Sequence, residues 1–112
     1  MDSRLPAHLE INGLIRAVQA AGGFATVIAK GERDAGTILI VTMDRQGHQR
    51  LFERMPQLDG SRKFVASRDQ DENNPLEFNE YLERRKRQDS DIWVLELDIA
   101  DAERFIVNIG TV

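Results

Sequence analysis

The chain has no cysteine. That removes thiolate nucleophiles, disulfide frameworks and zinc sites built on sulfur, and it is compatible with a reducing compartment. Histidine is almost as scarce: His8 and His48 are the only two, and neither has the spacing that brings two imidazoles onto one metal. Ser3, Ser61, Ser67 and Ser90 lack the glycine-flanked elbow that exposes a nucleophilic hydroxyl. Gly22 and Gly23 stand between a helical pattern and a strand pattern, the reverse of the strand-to-helix order that cradles phosphate. The longest apolar runs, Ile38 to Val41 and Ile92 to Leu95, are far too short to span a bilayer. The opening MDSRLPAHLE lacks the long apolar core of a signal peptide, so we expect a cytoplasmic protein without a membrane segment. Aromatic residues are only 6% of the chain, which leaves little with which to stack bases. Excess positive charge is missing too: 19 acids against 15 bases give a net charge of −4, which disfavours a general polyanion binder.

What is present describes one domain. The 112 residues, 41% hydrophobic and 30% charged, suffice for a single core. Ile11, Leu14, Ile15 and Val18 follow the spacing of one helix face and predict a helix over about His8 to Ala21, closed by Gly22 and Gly23. Gly13 inside it costs about 1 kcal/mol relative to alanine, which points to weak helix or to close packing. FATVIAK and TILIVTM then read as strands, joined by GERDAG as a tight antiparallel reversal. DRQG makes a second reversal into HQRLFERM, giving a three-strand meander. TILIVTM is apolar on both faces and belongs near the centre, whereas HQRLFERM carries Arg50 and Arg54 and belongs nearer an edge. RKFVAS adds a short fourth strand. DIWVLELDI, with Trp93, Leu95, Leu97 and Ile99 alternating, is a strong strand, and RFIVNIGTV is most simply a last one, with a helical turn over ADAERFI as the other reading.

DQDENNPLEFNE, from Asp69 to Glu80, invites two readings. On the calcium-loop pattern Asp69, Asp71 and Asn73 take the first, third and fifth positions and Glu80 the twelfth. The sixth position, normally glycine, is Asn74, and Pro75 pushes it into extended conformation, away from the sharp turn that the ion needs. A helix start fits better: Asn74 as N-cap, Pro75 at the first helical position, Glu77 reaching back to the cap.

The second helix then runs from Pro75 to about Gln88, burying Phe78, Tyr81 and Leu82. Glu80 with Arg84 and Glu83 with Arg87 are spaced for ion pairs worth about 0.2 to 0.5 kcal/mol each. The cations Arg84, Arg85, Lys86 and Arg87 complement the helix dipole, and they are also dense enough to form a patch for phosphate, nucleic acid or an acidic partner. Asp89 with Asp91, or Glu96 with Asp98, offer carboxylate pairs for acid catalysis; the competing readings are a turn cap and a solvated sheet face. Trp93, the only tryptophan, is either core or, if exposed, an anchor for a partner.

ERRKRQDSDIWVLELD, with AAGGFATVIAKGERDAGTILI nearer the N-terminus, resembles a small uncharacterised bacterial family, domain of unknown function 1491. The resemblance runs from about Ile15 to Phe105. Its most specific parts are the basic helix end, then Asp89, Asp91 and Trp93, and after these the Ala35 and Gly36 pair; LFERMPQLDG and the C-terminus depart from it. It implies a compact α+β domain of a bacterial cytoplasm and brings no activity, substrate or catalytic residue.

The expected fold is therefore α+β, a single domain over residues 1–112 with an antiparallel sheet of about five strands and two helices in the order α-β-β-β-β-α-β-β. The expected function is a non-catalytic binding or assembly module, without metal or cofactor, whose partner is another protein or a second copy; nucleic acid is disfavoured. Candidate binding residues are Arg84, Arg85, Lys86, Arg87, Asp89, Asp91 and Trp93. If both helices pack on one face, Ile92, Val94 and part of TILIVTM are left uncovered for a dimer. The alternatives are a phosphate or nucleic-acid binder through the cations of the second helix and a carboxylate-dependent hydrolase.

Overall fold

The computed structural model, which describes residues 5–109, converts the spacing around Ile11 into α1 (Ala7–Ala20), with Ile11, Leu14 and Val18 buried in a row. Two glycines close it. Gly22 takes the left-handed conformation at φ 88°, its N–H donates to the Gln19 carbonyl at 3.1 Å, and Gly23 donates to Val18 at 2.9 Å, which satisfies the carbonyls that a helix end leaves open. At Gly13 the space is open: a methyl there would meet no other atom within 4 Å, so close packing does not explain that residue.

Five strands follow: β1 (Phe24–Ala29), β2 (Ile38–Met43), β3 (Gln49–Pro56), β4 (Arg62–Asp69) and β5 (Trp93–Asp98), in spatial order β1-β5-β2-β3-β4. β2 is central and buried along five of its six positions, as its apolar run requires. The meander is β2-β3-β4, not β1-β2-β3. β5 enters between β1 and β2, antiparallel to the first and parallel to the second, so the sheet is mixed and not wholly antiparallel. The cause is burial: Trp93, Val94, Leu95 and Leu97 are all buried, and a strand apolar on both faces gains most in the interior of a sheet.

The expected reversal at GERDAG is accordingly a crossing loop, seated on the entry to β5. Glu32 N–H donates to the Asp91 carbonyl at 3.0 Å and Trp93 N–H to the Thr37 carbonyl at 2.8 Å. Two glycines permit this approach. A Cβ at Gly31 or at Gly36 would collide with the same atom, the Asp91 carbonyl oxygen.

Helices cover both faces. α1 and α3 (Ala102–Ile109) pack on one side, around Ile40, Phe52, Leu95 and Leu97. α2 (Leu76–Gln88) packs on the other, with Phe78 and Leu82 against Leu39, Val41, Leu51 and Val94. The uncovered face on which a dimer depended is thus filled by α2, and Ile92 and Val94 are buried beneath it. The C-terminal strand is also corrected: residues 102–109 are helical, which turns Ile106 fully into the core and packs Phe105 beside it. Asp101, at φ 53°, makes the break after β5. The remainder of the expected strand, Gly110 to Val112, lies outside the described residues.

α2 starts without the expected cap. Asn74 is held by Asp71, whose carbonyl accepts its N–H at 3.0 Å and whose carboxylate accepts the Asn73 N–H at 2.9 Å. No side-chain cap bond forms, and Pro75 stands at the helix entry with φ −64° and ψ −26°. Glu77 turns away from the cap to Arg68 of β4, at 2.6 Å, because an ionised partner offers a stronger hydrogen bond than a backbone amide. Asp69 likewise binds Arg50 at 2.6 Å, so the oxygens aligned on the calcium pattern are directed apart.

Candidate functional site

The basic run at the end of α2 separates around the helix. Arg85 points inward, donating to Glu53 of β3 at 2.8 Å and to the Tyr81 hydroxyl at 3.0 Å. Burial opposes its charge, but these hydrogen bonds and the Glu53 carboxylate outweigh that and hold its pKa above the ordinary arginine value. Lys86 pairs with Glu83 at 2.7 Å, three residues away, in place of the expected Glu83–Arg87 pair. Arg84 lies 5.8 Å from the centre of the Tyr81 ring, whose face Arg68 covers at 3.7 Å. Arg84 and Arg87 are therefore the cations of the run that remain without an ion pair among the described residues.

The acidic residues after the helix shape a turn. Asp89 accepts the Asp91 N–H at 3.0 Å through its carboxylate, and the Asp91 carbonyl receives the crossing loop. Trp93 is 4% exposed and donates its indole N–H to the Glu32 carbonyl at 2.7 Å, which makes it a core residue with its polar edge satisfied. The two segments GERDAG and DSDIW thus meet in one tightly fitted junction.

Beside that junction lies an open edge of the sheet. Among the described residues β1 pairs only with β5, and its outer side carries Phe24, 72% exposed, with Val27 and Ile28 also exposed. A bulge between Val27 and Ala29 shifts the register to β5, and pairing resumes at Ala29 opposite Val94. Beside it, a cleft of about 460 Å³ opens between the strand and α1. Ile11, Val27 and Trp93 form its apolar floor; His8, Asn12, Lys30 and Arg33 form its rim. α1 presents His8 and Asn12 four residues apart, on the flank that faces β1. The His8 N–H donates to the Arg33 carbonyl at 2.9 Å and the Ala7 N–H to the Asp34 carbonyl at 2.9 Å, so the crossing loop both caps α1 and sets the rim.

A larger cleft, about 860 Å³, lies at the opposite end of the sheet near Asp44, His48 and Asp98. Part of its charge holds the sheet end together: Arg50 pairs with Asp69 at 2.6 Å and with Glu103 at 2.8 Å, and Asp44 accepts the N–H groups of Gln46 and His48 at 2.9 Å, while Arg45 on its lining forms no ion pair among the described residues. The hydrogen bond to Asp69 is the main cause that raises the Arg50 pKa. We place the site at the β1 groove because there the unpaired cations Lys30 and Arg33 stand beside an open apolar strand edge.

A family model described as protein of unknown function (DUF1491) matches residues 5–107. The chain belongs to the DUF1491 family. The crystal structure of a DUF1491 family protein from Caulobacter crescentus CB15 is 35% identical over 84% of this chain and 87% of that one, with a TM-score of 0.71. The NMR structure of a DUF1491 family protein from the same organism is 35% identical, covers 91% and 92%, and has a TM-score of 0.72. The solution structure of protein Atu0922 from A. tumefaciens is 32% identical over 96% of each chain, with a TM-score of 0.76. No match was found among curated proteins. In this DUF1491 protein the residues singled out from sequence surround the α2–β5 connection, while Phe24, Val27, Lys30 and Arg33 were not singled out. One signal could have found them: FATVIA is an apolar strand without a charge, followed at once by Lys30 and Arg33.

Proposed function

We propose that this DUF1491 protein is a non-catalytic binding or assembly module that docks a protein segment, from another chain or from a second copy, along the edge of β1. The observation that carries the reading is the contrast between the two sheet edges. β4 has Arg62, Lys63, Arg68 and Asp69, charges of the kind that keep an edge from pairing. FATVIA has none, and three of its large side chains are exposed. Unpaired backbone groups beside apolar side chains are what strand addition uses: main-chain bonds supply affinity and alternate side chains supply selectivity. The bulge at Ile28 interrupts the ladder, so the regular part of the template is Phe24–Val27, with exposed Ile28 adjoining it.

The phosphate or nucleic-acid reading is less well supported, since Arg85 and Lys86 are already engaged. For the hydrolase, Asp89 serves a turn. Selection from a displayed random-peptide library against the full chain tests the docking reading. Recovered sequences should be extended and apolar and should lose binding to the exposed-edge variants Val27→Lys and Ile28→Lys. Sequences that bind both variants as well as the parent would remove it.

A further inference from the structure

Resting on that docking reading, we infer that the β1 groove selects an extended segment of a different protein in which an apolar side chain stands next to acidic residues. The cleft beside Val27 is large enough for one or two side chains, and its floor is apolar. Its rim is cationic. Lys30 and Arg33 are exposed and form no ion pair among the described residues. The acids of the same loop form no ion pair with them among the described residues. Glu32 spends its carboxylate on the N–H groups of Asp34 and Ala35, and Asp34 lies 4.0 Å from His8.

Position matters as much as charge. Lys30 directly follows β1, two residues beyond the bulge at Ile28. A strand paired along Phe24–Val27 therefore delivers its end to the cleft, where one side chain enters between Val27 and Trp93 and an adjacent carboxylate meets Lys30 or Arg33. Complementary charge at a rim acts chiefly on selectivity and on the rate of encounter. A second copy fits poorly, because its own β1 has no acidic residue to bring to the rim. The whole chain carries a net charge of −4, so the cationic rim is a local feature against an acidic background.

Three acetylated peptides of alternating valine and threonine with a central phenylalanine test this, the phenylalanine being flanked by glutamate, by glutamine or by lysine. Trp93, the only tryptophan, lies at the cleft and reports occupancy through its emission. The glutamate peptide should bind the full chain about fivefold tighter than the glutamine peptide, as two exposed ion pairs supply, and the preference should shrink with added salt. In the double variant Lys30→Glu, Arg33→Glu the order should invert in favour of the lysine peptide. Equal binding of all three, lost in Val27→Lys, would overturn the acidic preference while leaving the docking edge in place. Binding of none at millimolar concentration by a chain that stays monomeric, or binding unaffected by Val27→Lys and Ile28→Lys, would remove both. A chain that associates with itself and thereby excludes every peptide would show the occupant to be a second copy and overturn the inference.

Discussion

At the scale of single residues the glycines divide into two kinds. Gly13 lies mid-helix with open space where a methyl would go, so Gly13→Ala should stabilise by about 0.5 to 1 kcal/mol, raising Tm by a few degrees for a domain of this size. Gly36 is the opposite case. A Cβ there would collide with the Asp91 carbonyl and lie 2.8 Å from the Trp93 ring, and Gly36→Ala should destabilise by about 2 to 3 kcal/mol through overpacking. Thermal denaturation of both variants checks the pair; a neutral Gly36→Ala would mean that the crossing loop is not seated as described. The sequence marks Gly13 as a mid-helix weakness and Gly36 as part of a reversal, but neither reading carries the difference in cost. What separates them is a contact with a residue far along the chain, which no local pattern carries.

At the scale of elements, local signals were legible and their partners were not. The spacing of Ile11, Leu14 and Val18 gave α1 to within a residue at each end, and the apolar run of β2 gave its central place. The pairing of β1 was misread because GERDAG is short enough and glycine-rich enough for a hairpin, while the residues that draw β5 between the strands come much later in the chain. The last element reads first as a strand, with a helical turn over ADAERFI as the other reading, because RFIVNI has strand-like composition; the helix buries Ile106 in the core beneath α1. The start of α2 shows the same limit: Asn74 has a suitable side chain but makes no cap bond, and the side-chain bond of this loop runs from the Asn73 N–H to Asp71, before the helix begins. Asp71→Ala should therefore cost about 1 kcal/mol and Asn74→Ala only a few tenths, as measured by urea titration. The candidate site was legible only in part, since Trp93 and Asp91 lie beside the groove and the basic run lies apart from it. With Arg85 and Lys86 engaged, Arg84 and Arg87 could release about two counterions, a slope of roughly −2 in log K against log salt. Fluorescence polarisation at two salt concentrations should show no nucleic-acid binding tighter than about 10 μM at physiological ionic strength. A submicromolar, salt-sensitive complex lost in Arg84→Ala, Arg87→Ala would restore that patch as the site.

At the scale of the molecule, what is covered decides how the chain associates. α2 on one face and α1 with α3 on the other leave the sheet little apolar surface to share. Besides Met43 and Met55, what remains on the strands among the described residues is the side of β1, where Phe24, Val27 and Ile28 are exposed on a strand of six residues. A stable interface buries about 800 Å² on each partner, considerably more than a short strand edge offers. The bulge shortens the pairing further, and two copies with a net charge of −4 repel at low ionic strength. Self-association through β1 is therefore expected to be weak: monomer at micromolar concentration, with dimer emerging only toward millimolar, and weaker still in Ile28→Lys. Sedimentation velocity over that range measures it directly. A tight dimer at micromolar concentration that survives Ile28→Lys would place the interface on some other surface and leave the β1 groove free in the assembled protein. A tight dimer abolished by Ile28→Lys would instead mean that two copies pair edge to edge, with the acidic preference of the groove applying to nothing that the dimer leaves exposed.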